Sequence, residues 1–141
     1  MDAAFLRELR TAAAGVFSRR RILVAYAHGS RIHGRPRPES DLDIGYYLFP
    51  GEAEPGLSIG DEMAMAADLS ARLGLDVDLR CLNRAPLELR GRVLEEGVRI
   101  YSSDDALRVS LECAILARYH DYKEVFQHMH AVRLRNRAAR G

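Results

Sequence analysis

The sequence contains no tryptophan, only two cysteines and no long run of apolar residues. Two cysteines, Cys81 and Cys113, cannot form the disulfide framework of a small secreted protein. No stretch approaches the roughly 18 apolar residues of a membrane-spanning helix, and the first residues lack the pattern of a signal peptide. We therefore expect a reduced, cytoplasmic protein that does not enter a membrane.

The chain also lacks an excess of charge of either sign, because 21 basic and 20 acidic residues leave a net charge of +1. A balanced chain has no global field to hold a nucleic acid, so we expect no direct nucleic-acid binding. A hydrophobic share of 48% and a charged share of 29% are typical of a folded protein. The 141 residues suffice for one domain, which we expect to span residues 1–141.

Apolar spacing and turn residues predict alternating helices and strands. The pattern favours an α/β or α+β fold, with a small mixed sheet of about four strands flanked by helices. We expect a core over about residues 1–102 and a helical region over about 103–141. Helices are predicted over residues 2–18, 58–74, 86–97 and 103–132, and strands over 22–28, 41–49, 76–82 and 98–101.

Two helices carry specific expectations about their buried faces. The helix after the Ser58 cap is expected to bury Ile59, Met63, Ala66, Ser70 and Leu73. The long last helix is expected to start at a Ser103 cap, to allow a break near His120 and Asp121, and to fray from Arg133 onward. Its core row is expected to be Leu107, Leu111, Ala114, Ile115, Tyr122, Val125, Phe126, Met129 and Val132, with Leu116 and Tyr119 left over for a docking surface.

Two aspartates on an otherwise apolar strand are the first chemical signal. Asp41 and Asp43 are two residues apart, so their side chains point to the same face of the strand. Two carboxylates on one face repel each other unless a cation lies between them. Mg²⁺ prefers carboxylate oxygens, so the pair predicts a magnesium site, and we expect two ions.

A Gly-Ser turn twelve residues before the first aspartate is the second signal. Gly29 allows the backbone to approach an anion, and Ser30 is a candidate N-cap of a following helix. Phosphate at this turn and metal at the strand would together form a site for a nucleoside triphosphate. Arg31, Arg35 and Arg37 in the adjoining segment are either triphosphate contacts or solvated charges.

A third carboxylate would complete such a site. The strand over residues 76–82 offers Asp78 in its middle and Asp76 at its entrance, on the same face. We prefer Asp78 as the residue aligned with Asp41 and Asp43, and leave Asp76 as the alternative.

The segment from Gly29 to Ile44, Gly-Ser-Arg-Ile-His-Gly-Arg-Pro-Arg-Pro-Glu-Ser-Asp-Leu-Asp-Ile, resembles the signature of the DNA polymerase β-like nucleotidyltransferases. It is most similar to the minimal nucleotidyltransferase (MNT) domains, and the similarity continues through residues 78–86 and 90–97. Two positions depart from the pattern, His28 and His33, and neither is one of the metal ligands.

The resemblance implies the polymerase β-like fold and the antitoxin half of a HEPN–MNT toxin–antitoxin pair. It implies transfer of AMP from ATP, with Mg²⁺, to a tyrosine of the HEPN toxin. Gly29, Ser30 and Arg31 would bind the nucleotide, Asp41 and Asp43 would bind metal, and Asp78 would serve as metal ligand or general base. Two alternatives stay open: transfer to a small-molecule hydroxyl, and an antitoxin that inhibits by binding without catalysis.

Overall fold

The structure is a computed structural model that describes residues 1–33, 41–53 and 55–140. The two prolines within residues 34–40 predict a loop, and this segment, with Arg35 and Arg37, lies outside the described residues, as do the side chains of Ser30, His33 and Phe126. No helix in the described part of the chain is both long enough and apolar enough to cross a membrane.

The elements follow the predicted order. Local signals explain their ends: the Ser58 hydroxyl accepts a hydrogen bond from the Asp61 N–H at 3.0 Å, and Gly74 closes the same helix in the left-handed conformation. The elements are α1 (Ala3–Phe17), β1 (Ile22–His28), α2 (Ser30–His33), β2 (Leu42–Leu48), α3 (Ile59–Leu73), β3 (Val77–Cys81), α4 (Leu87–Glu96), β4 (Val98–Ser102) and α5 (Asp105–Arg140).

The described strands form one four-stranded sheet in the order β3-β2-β1-β4. β1 pairs antiparallel with both β2 and β4, whereas β2 and β3 are parallel. The sheet is therefore mixed, and helices lie on both of its faces. This arrangement confirms the predicted fold class, including the long C-terminal helix.

Side-chain alternation divides the core into two layers. Leu42, Ile44 and Tyr46 of β2 pack with residues of α1 and α3, such as Leu9 and Leu69. On the opposite face of the sheet, Tyr26 and Tyr47 pack with Val93 of α4 and Ile115 of α5. Asp43 lies between Leu42 and Ile44 in sequence, so it faces the second layer.

The predicted buried face of α3 is only partly correct, because Ala66 and Leu73 pack against the core but Ile59 and Met63 do not. Ile59 is 81% exposed and Met63 is 67% exposed, whereas Met65 and Leu69 are buried. Apolar residues of α3 occupy more than one stripe, so the local pattern does not decide which stripe meets the core. Contact with α1 and the sheet decides it.

The start and end of α5 also differ from the prediction. Asp104, not Ser103, is the cap: its carboxylate accepts a hydrogen bond from the Leu107 N–H at 3.0 Å. The Ser103 hydroxyl instead donates to the Ile22 carbonyl at 2.9 Å. No break occurs near His120, and the helix continues through residues 133–140 because alanine, leucine and arginine there all favour helix.

The core row predicted for α5 is only partly correct. Ile115 is buried, but Leu107, Tyr122, Val125 and Met129 are 40–51% exposed. A helix of 36 residues is about 54 Å long and exceeds the roughly 23 Å of a seven-residue strand. The helix therefore extends past the surface that could bury it.

Tyr119, expected on a docking surface, is a core residue with 5% exposure. Its ring lies against Gly91 of α4, where any Cβ atom would overlap the ring carbons. The prediction failed because it depends on a non-local fit: the missing side chain at Gly91 makes room for the tyrosine. Leu116 remains partly exposed beside it.

Candidate active site

Three neighbouring strands bring His28, Asp43 and Asp78 into one row. His28 is the register partner of Asp43 across β1 and β2, and Asp43 is the register partner of Asp78 across β2 and β3. Paired residues of adjacent strands share a face, so all three side chains belong to the face that carries α4 and α5. The row lies at the carboxyl end of β1 and the amino ends of β2 and β3.

The two remaining aspartates lie just before their strands. Asp41 is exposed and precedes β2 by one residue, and its charge acts on Asp43. Asp76 precedes β3, and its carbonyl accepts a hydrogen bond from the Leu42 N–H at 2.8 Å. The register thus places Asp78, and not Asp76, directly beside Asp43. The roles of Asp41, Asp43 and Asp78 in metal binding and catalysis stay predictions.

Gly29 follows β1 with a φ of +89°, a conformation that L side chains rarely adopt. The space in which a Cβ atom would lie is filled by the carboxylate of Asp43, and the two would overlap. The sequence suggested that this glycine makes room for an anion of the ligand. In the structure it makes room for an anion of the protein itself, and so couples the turn to the aspartate strand.

The helix that follows the turn is short, with only four residues, Ser30–His33. Ser30 is its first residue rather than the predicted N-cap, and the Ile32 N–H donates to the Gly29 carbonyl at 3.0 Å. Arg31 is partly exposed on this helix. Nucleotide binding by Gly29, Ser30 and Arg31 stays a prediction.

The electrostatics of the row reflect burial first and the neighbouring charges second. Burial raises the pKa of Asp43 above its usual value, and the charges of Asp78 and Asp41 raise it further, against an opposing effect of His28. Burial lowers the pKa of His28, and the positive charges of Arg80 and Arg92 add to this effect, whereas Asp43 and Asp78 oppose it. The carboxylates therefore lie where a bound cation would relieve their repulsion.

A cleft of about 190 Å³ adjoins the row, and sequence reasoning did not foresee the part that α4 plays in it. Arg92 and Glu96 belong to the last turns of α4, whose chain continues directly into β4 beside β1. Only this pairing, which no local spacing reveals, brings α4 to the turn after β1. The lining residues are His28, Gly29, Leu89, Arg92, Val93 and Glu96.

The donor set fits Mg²⁺ in its chemistry. Asp41, Asp43 and Asp78 offer the hard carboxylate oxygens that Mg²⁺ prefers, and a cation there would offset the burial and the neighbouring charges that raise the pKa of Asp43. As the side chains stand, no three aspartate, glutamate, histidine or cysteine groups in the described part of the chain converge closely enough to hold an ion. Mg²⁺ usually keeps several waters and also takes oxygens from substrate phosphates, so full protein coordination is not required.

Comparison with protein-family models identifies the family of this chain. The model for the polymerase β nucleotidyltransferase family matches residues 13–106, which is more than half of the sequence and includes the Gly29 turn and all three aspartates. The chain belongs to this family. Comparison of the sequence with curated proteins gives no match.

Three solved structures similar to this nucleotidyltransferase share 15–20% sequence identity with it, so they show the fold. A chain from a toxin–antitoxin complex with AMP-PNP matches with a TM-score of 0.64 and 20% identity, covering 90% of this chain and 97% of that one. A chain from the complex of tri-AMPylated Shewanella oneidensis HEPN toxin with MNT antitoxin matches with a TM-score of 0.63 and 18% identity, covering 90% and 98%. A chain from the MntA–HepT toxin–antitoxin matches with a TM-score of 0.60 and 15% identity, covering 96% and 97%.

Proposed function

We propose that this nucleotidyltransferase transfers AMP from ATP to a tyrosine hydroxyl of a HEPN-domain toxin and acts as the antitoxin of that protein. The observation that carries the proposal is the register of Asp43 with Asp78, beside the turn at Gly29. Similar folds occur in toxin–antitoxin complexes, one of which contains an AMPylated HEPN toxin and another AMP-PNP. These neighbours support the choice of nucleotide and partner, and the choice of a tyrosine follows from the family resemblance.

The residues of the row would divide the chemistry between them. Asp41, Asp43 and Asp78 would hold Mg²⁺, which when bound supplies charge stabilisation for the triphosphate and lowers the pKa of the acceptor hydroxyl. Gly29 keeps the carboxylate of Asp43 close to the turn, where the backbone and Arg31 would orient the phosphates. This orientation would place the α-phosphorus in line with the acceptor.

The proposed transfer exchanges one phosphorus–oxygen bond for another. The tyrosine oxygen forms a bond to the α-phosphorus of ATP, and the bond from that phosphorus to the oxygen bridging to the β-phosphorus breaks. Pyrophosphate leaves, and the Asp78 carboxylate accepts the hydroxyl proton. The products are AMP-tyrosine and pyrophosphate.

A structural neighbour favours a macromolecular acceptor over a small one, because its complex contains an AMPylated HEPN toxin. An acceptor brought by another protein would complete the site on docking.

Isotope transfer tests the proposed activity. The chain is incubated with Mg²⁺ and the product of its adjacent gene, which the proposal expects to be a HEPN-domain protein. One reaction contains ATP labelled at the α-phosphate and the other ATP labelled at the γ-phosphate. We expect label on the partner from α-labelled ATP only. Label from γ-labelled ATP would instead indicate a kinase, and inhibition without any label would favour an antitoxin that acts by binding alone.

A further inference from the structure

The second half of α5, residues 124–140, is largely exposed, whereas the first half is partly buried against the sheet and α4. Ile115 is 3% exposed, whereas Met129, two heptads later on the same helix face, is 48% exposed. Val125, one turn before Met129, is 49% exposed. A face that is core in the first half of the helix thus continues uncovered in the second.

The same face becomes basic toward the end of the helix. Arg133, Arg137 and Arg140 follow Met129 at spacings of four, eight and eleven residues, so they share its side of the helix. Residues 125–140 contain four arginines and no acidic residue. Among the residues that the structure describes, none forms an ion pair with these arginines. We name the set Val125, Met129, Arg133, Arg137 and Arg140 the extension face.

The extension face begins next to the candidate site. The Glu95 carboxylate accepts a hydrogen bond from Lys123 at 3.1 Å and lies 3.4 Å from the His120 ring nitrogen. These contacts join α5 to the end of α4. The adjacent residue, Glu96, lines the cleft with His28 and Gly29. Farther along, Met129 and Arg133 line a groove of about 250 Å³ with Glu88 of α4.

We propose that the extension face is the docking surface for the protein acceptor, and that the acceptor presents an apolar patch followed by acidic side chains. The inference rests on the proposed function for the identity of that protein, a HEPN-domain partner. Met129 and Val125 meet the apolar patch, and Arg133, Arg137 and Arg140 meet the carboxylates. Docking there seats the acceptor along α4, between the groove at Glu88 and the contact at Glu95, whose neighbour Glu96 lines the cleft.

Charge and apolarity together select this occupant. A second copy of the chain offers no carboxylate within its own residues 125–140, so pairing of two extension faces would leave the arginines uncompensated. A nucleic acid would match the arginines but not the exposed apolar positions at 125 and 129, and the net charge of the chain is only +1. An acidic protein surface with an apolar side chain at its edge would match both the arginines and the apolar positions of the extension face.

Binding measurements on the full-length chain test the proposal. The affinity for the adjacent gene product is measured without ATP, by calorimetry, for Met129→Glu and for the triple variant Arg133→Glu/Arg137→Glu/Arg140→Glu. We expect each to weaken binding about tenfold or more, as for central interface residues. Met63→Glu is the apolar control, because Met63 is 67% exposed on α3, and Arg135→Glu is the charge control on the opposite side of α5. Both controls are expected to bind within about twofold of the unmodified chain.

The outcomes separate this proposal from the proposed function. Complex formation that is lost in Met129→Glu, without AMP transfer by the unmodified chain, would uphold the docking surface and refute the enzyme. Equal AMP transfer by the unmodified chain and Met129→Glu, with equal affinity, would refute the docking surface and leave the proposed activity intact.

A homodimer of the isolated chain that Met129→Glu dissociates would overturn the proposal in favour of a second copy. Equal weakening by Arg135→Glu would also overturn it, because the effect would then be one of charge alone. Circular dichroism confirms that each variant keeps its helix.

Discussion

Gly29 and Asp43 fit together, because the carboxylate of Asp43 fills the space in which any other residue at position 29 would place its Cβ atom. The turn after β1 and the aspartates of β2 are therefore parts of one arrangement. The strand register adds Asp78 on one side of Asp43 and His28 on the other. The motif Gly-Ser followed by Asp-x-Asp is therefore, in this protein, a packing relationship between the turn and the aspartate strand.

Replacing Gly29 with alanine tests this relationship. The variant combines an unfavourable positive φ with an overlap at Asp43. We therefore expect the free energy of unfolding to fall by about 1–3 kcal/mol beyond the cost of the backbone strain, and we expect AMP transfer to be lost. Gly51→Ala is the matched control, because Gly51 has a φ of +92° but no neighbouring atom within 4 Å of the added Cβ. It should cost only the backbone strain, about 1–2 kcal/mol, and keep activity. Equal destabilisation of the two variants in urea unfolding would contradict the fit.

Asp43→Asn should separate activity from stability. Burial and the charges of Asp78 and Asp41 raise the pKa of Asp43, so the ionised form is disfavoured in the folded protein. The neutral amide should leave the melting temperature unchanged or raise it, while AMP transfer falls by at least about a hundredfold. Asp121→Asn, an exposed position on α5, is the control and should change neither quantity. A fall in melting temperature with near-normal transfer would reverse the assigned role.

Gly91→Ala should loosen α5 from α4. The added methyl group overlaps the ring of Tyr119, and overpacking of this kind costs about 1–3 kcal/mol. Gly60→Ala in α3 is the matched helical control, since the nearest atom to its added Cβ is the Ser58 Oγ at 3.9 Å. The control should be neutral or slightly stabilising, because alanine favours helix. Thermal unfolding of the two variants makes the comparison, and equal stability would show that Tyr119 can move aside.

Four of the six tyrosines should ionise late in an alkaline titration. Burial raises the pKa of Tyr26, Tyr46, Tyr47 and Tyr119, and Glu112 and Glu62 accept hydrogen bonds from Tyr26 and Tyr46. A folded-state pKa above the unfolded value of about 10 contributes stability that is complete below pH 10 and is lost as the pH rises further. Ultraviolet absorbance should therefore show four tyrosines ionising together with unfolding. Ionisation of all six near pH 10 in a protein that still has its native circular dichroism would contradict this.

Local signals were sufficient to predict the order of elements and the aspartate strand. β1 extends over Ile22–His28 as predicted, because a short apolar run lies between an arginine cluster and a glycine. The cap at Ser58 and the end of the helix at Gly74 were also predicted, since both depend on a few adjacent residues. Such features need no knowledge of the rest of the chain.

Features that depend on contacts between distant segments could not be predicted in this way. The exposure of Ile59 follows from how α3 rotates against α1, and the burial of Tyr119 follows from a glycine in α4. The contribution of Arg92 and Glu96 to the cleft requires the pairing of β4 with β1. In each case the contacting residue lies far away in sequence, so the spacing of residues within one element does not predict the contact.

The mass of the partner protein tests the central claim most directly. The chain and the product of its adjacent gene are incubated with ATP and Mg²⁺, and the intact partner is analysed by mass spectrometry, with Asp41→Asn/Asp43→Asn as the inactive reference. The account predicts that the partner gains whole AMP units with the unmodified chain and none with the reference. A partner that is inhibited equally by both chains, with no gain in mass, would contradict it.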